Sequence, residues 1–109
     1  MKLNVPEPVA AYFAAEEAKD AEKLSLCFIE DGTVHDEGRD HRGRGAIRQW
    51  KQEADTKYQY VLLPLEAQTN GNEVKVRARL TGNFSGSPLE LTHIFKLSTN
   101  KIASLEIRS

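Results

Sequence analysis

His35 and Asp36 end the segment Thr33-Val34-His35-Asp36, and an imidazole beside a carboxylate is raw material for proton transfer. The chain then enters Glu37 to Gly45, which holds three glycines and five charged residues and is expected to be a loop. From Gly45-Ala46-Ile47-Arg48-Gln49-Trp50 it turns into a helix that carries the only tryptophan. A carboxylate shut from water against an aromatic wall has its pKa raised toward neutrality and becomes a usable base. The stretch points to a small-molecule pocket without naming its ligand.

Other chemistries fit less well. His35, Asp36, Asp40 and His41 are residue types that bind zinc or iron. Adjacent strand residues project to opposite sides, however, and the spacing matches no ligand signature. A solvated charged loop is the better reading, with His35 facing outward to bond a neighbouring strand, and no metal is expected. Ser85 and Ser87 lie in a turn with no His–Asp pattern nearby, which argues against acyl transfer. The glycines at 38, 43 and 45 do not form a phosphate loop. Cys27 has no partner cysteine and reads as a small core residue.

The elements that must position Asp36 fit a single domain of 109 residues. Hydrophobic residues make up 39% and charged residues 28%, with a net charge of -1 and no basic block, which argues against a nucleic-acid partner. No leader-like apolar region opens the chain, and no run approaches the about 18 apolar residues of a membrane span. A cytoplasmic protein is expected.

Asn4 is placed to cap a first helix, with Pro6 and Glu7 in its first turn and Val9, Tyr12, Phe13 and Glu16 at helical spacing. Asp20 caps a second helix, in which Leu24, Cys27 and Phe28 share a face and which Gly32 stops. After the strand Thr33 to Asp36, a third helix runs from Ala46 with Ile47, Trp50 and Ala54 as its buried stripe. The second half reads as four antiparallel strands. Tyr58 to Gln68 holds Pro64, which demands an edge or a bulge. Asn70-Gly71-Asn72 makes the hairpin turn. Val74, Val76, Ala78 and Leu80 then alternate with Lys75, Arg77, Arg79 and Thr81. Gly82 bends the chain, and Ser85 to Pro88 turns it. Leu89, Leu91, His93, Phe95 and Leu97 share one face of the next strand, and Ala103, Leu105 and Ile107 share one face of the last. Helices segregated from an antiparallel sheet define an α+β fold.

The Tyr12-Phe13 helix, the Cys27-Phe28-Ile29-Glu30-Asp31-Gly32-Thr33-Val34-His35-Asp36 segment, the Gly45-to-Trp50 helix start and the hairpin-rich second half resemble the nuclear transport factor 2-like (NTF2-like) superfamily. The nearer branch is the SnoaL-like polyketide cyclases and ketosteroid isomerases. The resemblance spans nearly the whole chain. It implies a cone of three N-terminal helices on a strongly bent sheet, a homodimer formed through the open sheet face, and a pocket that enzymes and non-enzymes share. It places Asp36 as general base, Tyr12 as donor to an enolate oxygen and Trp50 as a pocket aromatic. His93 stands where the isomerases keep a protonated aspartic acid, the case that illustrates a neutral carboxylic donor. This departure implies a substrate other than a steroid.

The expected ligand is a small hydrophobic or carbonyl-containing molecule, bound without a cofactor. Trp50, Phe28, Phe95, Leu105 and Tyr60 would line its wall, with Tyr58 and Tyr60 at the cavity mouth or at a dimer seam. Arg77 and Arg79 lie on the polar face of their strand, where they would pair with Glu90 or Glu106. The competing reading is a non-catalytic ligand-binding or protein-interaction domain on the same scaffold.

Overall fold

A computed structural model describes residues 3–109; Met1 and Lys2, which belong to the leader reading, lie outside the described residues. The order is α1 (Glu7–Ala18), α2 (Ala21–Leu26), β1 (Phe28–Asp36), β2 (Arg39–Arg42), α3 (Arg44–Lys57), β3 (Tyr60–Asn70), β4 (Glu73–Gly82), β5 (Leu89–Ser98) and β6 (Lys101–Arg108). The six strands form one sheet in the order β2-β1-β6-β5-β4-β3. All neighbours are antiparallel except β1 and β6, which run parallel. This is the expected α+β arrangement.

Local chemistry sets the helix boundaries. Pro6, not Asn4, precedes α1, and no side chain caps that end. Proline suits the position because its missing N–H would find no partner there. Lys19 stops α1 in the left-handed region at φ 54, where its N–H bonds the Glu16 carbonyl, while the Asp20 N–H bonds the Ala15 carbonyl. Asp20 then caps α2 by accepting the Lys23 N–H at 3.0 Å, as expected.

β3 is shifted two residues from the expected Tyr58 to Gln68, and three boundaries nearer the site also differ from the sequence reading. First, α2 ends at Leu26, and Phe28 opens β1. Leu24 and Phe28 are both fully buried, so their spacing looked helical although the chain changes conformation between them. Gly32 does not stop a helix but sits in a bulge of β1. Phe28 pairs with Ile102 and Thr33 with Ser104, so extra residues of β1 are pushed out of register. Arg44 satisfies the freed Phe28 carbonyl through Nε at 3.0 Å and Nη2 at 2.8 Å. Second, the charged loop contains β2, whose residues Arg39–Arg42 pair with Asp36–Thr33 of β1. Third, α3 starts at Arg44, ahead of Ala46.

The second half follows its alternation. Pro64 lies on the edge strand β3 at a register shift, where a missing N–H is tolerated. Gly71 makes the β3–β4 turn with φ +64. A side chain at Gly82 would put its Cβ 2.5 Å from the Gln59 carbonyl, so only glycine allows β4 to pass so close to the start of β3.

Register sorts the inner face of the sheet into rows. Val74, Phe95, Leu105 and Val34 make one row, buried under the helices. Val76, His93 and Ile107 make the next, and Leu62, Leu80 and Leu89 a further one toward the hairpin ends. On the outer face Arg77 pairs with Glu90 at 2.9 Å and Glu66 at 3.4 Å, and Arg79 reaches Glu90 at 3.6 Å. Glu106 is taken instead by Arg108.

Candidate active site

A hollow of about 810 Å³ opens over the rows that the helices leave uncovered. Its wall is built from α1 (Tyr12, Glu16), the end of β1 (Asp36), α3 (Trp50, Ala54), β3 (Tyr60, Leu62) and the inner faces of β4, β5 and β6. Asp36, Tyr12 and His93, separate in sequence, all border it, as do Trp50 and Tyr60. Phe28, Phe95 and Leu105 do not. They are fully buried in the packed core. Phe95 and Leu105 have the correct parity for the inner face but lie in the row the helices already fill. Tyr58 also lines the hollow, beside Phe84, and its ring meets Phe84 edge-on at 6.0 Å.

Asp36 is half-buried, and its Oδ2 accepts the Trp50 indole N–H at 3.1 Å. Burial raises its pKa above the ordinary carboxylate value. The Trp50 bond and the nearby His41 oppose that rise, and Glu37 adds to it. The indole therefore orients the carboxylate and tempers the effect of desolvation. His35, its neighbour, points the other way and bonds Asp40 across the β1–β2 pair. The histidine and the carboxylate thus bond different partners, Asp40 and Trp50.

His93 is 1% exposed and sits among aromatic rings, 5.5 Å from Phe13 and stacked at 6.1 Å on Phe95. Its Nδ1 is buried with no hydrogen-bond partner. Burial pushes its pKa down to about 4, so the ring is neutral at pH 7.

Sequence reasoning missed the polar cluster at one end of the hollow. Lys51, 1% exposed, donates to Glu16 Oε1 at 2.7 Å, to Asp55 Oδ1 at 2.6 Å and to the Tyr60 hydroxyl at 2.9 Å. Tyr60 donates to Glu16 Oε1 at 2.6 Å, and Tyr12 donates to Glu16 Oε2 at 3.4 Å. Burial, and then the Glu16 carboxylate, raise both tyrosine pKa values. Both phenols therefore keep their protons. The signal was present in the sequence: Ile47, Trp50, Lys51 and Ala54 share one helical stripe, and Glu16 lies one turn after Tyr12 on a buried face.

The α+β scaffold thus carries a hollow bordered by an oriented carboxylate and a neutral imidazole. Residues 9–105 match the SnoaL-like domain, and the chain belongs to that family. It is 40% identical to a protein from Sinorhizobium meliloti named provisionally as a polyketide cyclase, over 95% of both chains with a TM-score of 0.92. It is 25% identical to a Catenulispora acidiphila protein with a ketosteroid isomerase-like fold, solved in complex with trimethylamine, over 97% of this chain and 87% of that one with a TM-score of 0.87. The epoxide hydrolase/cyclase-like enzyme SalBIII shares the fold at 20% identity and a TM-score of 0.80, over 94% of this chain and 87% of that one. No curated protein matches the chain. No helix among the described residues is long and apolar enough to cross a membrane.

Two stability outcomes follow. Lys51→Met leaves the buried Glu16 and the partly buried Asp55 carboxylates without their cation and is expected to cost about 3–5 kcal/mol in urea unfolding at pH 7. For His93 the unfolded chain binds a proton below pH 6.5, whereas the folded chain resists one until about pH 4. Stability is therefore full above pH 6.5 and falls with pH through that window, by about 3 kcal/mol in total. His93→Gln should remove this component, which urea unfolding at several pH values would show.

Proposed function

We propose that this protein is a cofactor-independent isomerase- or cyclase-type enzyme acting on a small hydrophobic carbonyl compound, with Asp36 as the proton shuttle. The observation that carries this reading is Asp36 itself, a carboxylate partly withdrawn from water, held by the Trp50 indole, and bordering a hollow large enough for a substrate. The ionised carboxylate takes a proton from the carbon beside the carbonyl, and the electron pair moves onto the carbonyl oxygen. His93 supplies a donor for that oxygen. A neutral ring with Nδ1 buried and unpartnered is better off with a lone pair there than with an orphaned N–H, which leaves the proton on Nε2. Tyr12 contributes less, because its proton is directed at Glu16. Asp36 then returns the proton to a different atom, and the site ends in its starting state.

The provisional naming of the 40% identical protein as a polyketide cyclase and the ketosteroid isomerase-like fold of the second neighbour support this class of chemistry. Trp50, Tyr60, Tyr58 and Leu62 give the substrate its apolar contacts. Phe28, Phe95 and Leu105 give it none, since they lie in the packed core. We also propose a cytoplasmic homodimer formed through the open sheet face, where Val61 and Leu63 of β3 are 68% and 52% exposed.

Asp36→Asn keeps the size of the side chain and an acceptor for the Trp50 N–H but cannot take a proton. Deuterium exchange into an enolisable ketone, followed by NMR, should fall at least about a hundredfold in this variant. Its thermal stability should stay level or rise, because a desolvated charge is gone. Unchanged exchange would leave ligand binding without catalysis as the function. For the dimer, sedimentation should show a species of twice 12.2 kDa, and Val61→Lys with Leu63→Lys should return it to the monomer mass.

A further inference from the structure

The charges around the hollow do not balance. Glu16, Asp36 and Glu37 border it, and Arg108 is the one Lys or Arg that does so among the described residues. The Arg108 guanidinium is spent on Glu106, at 2.9 and 3.1 Å. Lys51, the cation buried behind the wall, faces two carboxylates, Glu16 and Asp55, so that cluster keeps one negative charge in excess. His93 adds no positive charge, because its ring is neutral. An anionic ligand would therefore meet carboxylates on the wall, while the one lining cation among the described residues is already bonded, an unfavourable arrangement away from bulk water.

The rest of the wall suits the opposite charge. Tyr12, Trp50, Tyr58, Tyr60 and Phe84 place five aromatic rings around the hollow. Ring faces attract cations, and the attraction grows when water is excluded. The protein already uses two of these rings in this way, with the Lys19 ammonium 4.8 Å from the centre of Tyr60 and the Lys57 ammonium 5.2 Å from that of Tyr58. Tyr12 spends its proton on Glu16, which leaves its oxygen an acceptor for anything else. An independent feature marks the hollow as built for a ligand: His93, a polar side chain 1% exposed, borders it, and among the described residues no protein group bonds its ring, Nε2 included.

We propose that the molecule bound here is an organic cation, an amine or quaternary ammonium on an apolar body, whose charge is met by Asp36, Glu16 and the aromatic rings. This deepens the preceding section and rests on its claim that the hollow is the ligand site. It adds a second point of recognition to the carbonyl: an ammonium on the acidic and aromatic side, and the carbonyl oxygen at His93. Glu16 thereby gains a role in specificity, although it takes no part in the proton transfer.

Isothermal titration of the full chain with three probes tests this. They are meta-hydroxyphenyltrimethylammonium, its uncharged isostere meta-tert-butylphenol, and the neutral ketone beta-tetralone. The ammonium compound should bind about tenfold more tightly than its isostere, and raised salt should narrow the gap. Asp36→Asn should weaken the ammonium compound severalfold and leave the isostere unchanged, with circular dichroism confirming the fold. Equal or tighter binding of the isostere overturns the proposal, as does an unmoved ammonium affinity in Asp36→Asn. Binding of tetralone alone also overturns it while sparing the carbonyl reading. If no probe binds, both fall.

Discussion

Lys51 is the constraint around which the site end of the molecule is organised. A buried ammonium is tolerated only when its protons meet acceptors and its charge meets a carboxylate. Here those acceptors come from α1, α3 and β3, through Glu16, Asp55 and Tyr60. Satisfying one cation fixes three elements relative to one another. Those elements carry Tyr12, Trp50 and Tyr60, which border the hollow. Hydrophobic burial holds the other end, where Val34, Leu105, Phe95 and Val74 form a closed row beneath the helices. The hollow exists because the helices cover that row and not the rows beyond it.

The same division explains how the site residues differ from one another. Asp36 sits where β1 runs out, close enough to Trp50 to be oriented and open enough to meet a ligand. His93 lies further into the sheet, on β5, and is almost wholly enclosed, which keeps its ring neutral. Two groups whose ordinary pKa values are 3.8 and 6.5 are thus pushed in opposite directions. The acid is raised and the imidazole is lowered, both by desolvation of the charged form. Partial burial leaves the carboxylate ready to exchange a proton, and full burial makes the imidazole a fixed dipole.

Strand β1 shows what a bulge contributes. The extra residues between Phe28 and Thr33 offset β1 against β6, and Arg44 closes the gap by binding the Phe28 carbonyl. That same arginine opens α3, so the bulge and the helix that carries Trp50 are locked together. The positions of Asp36 and Trp50 are therefore coupled through backbone as well as through their own hydrogen bond.

Much of this was already fixed by local sequence. Alternation over Val74 to Thr81 made β4, Pro64 marked an edge strand, and Asp20 capped α2, because each depends on neighbours in the chain. Asp36 and Trp50 were legible as partners because a short strand and a glycine turn delivered both to one place. Tertiary structure alone decided the rest. Arg39–Arg42 has no strand pattern of its own and is a strand only because β1 pairs with it. Phe28 fits a helical stripe and a strand equally well, and only its pairing with Ile102 selects the strand. Parity put Phe95, Leu105 and His93 on the inner face of the sheet but could not say how far along it the helices reach. That depends on how α1 and α3 pack across elements distant in sequence, and it separates a residue of the core from one that meets a ligand.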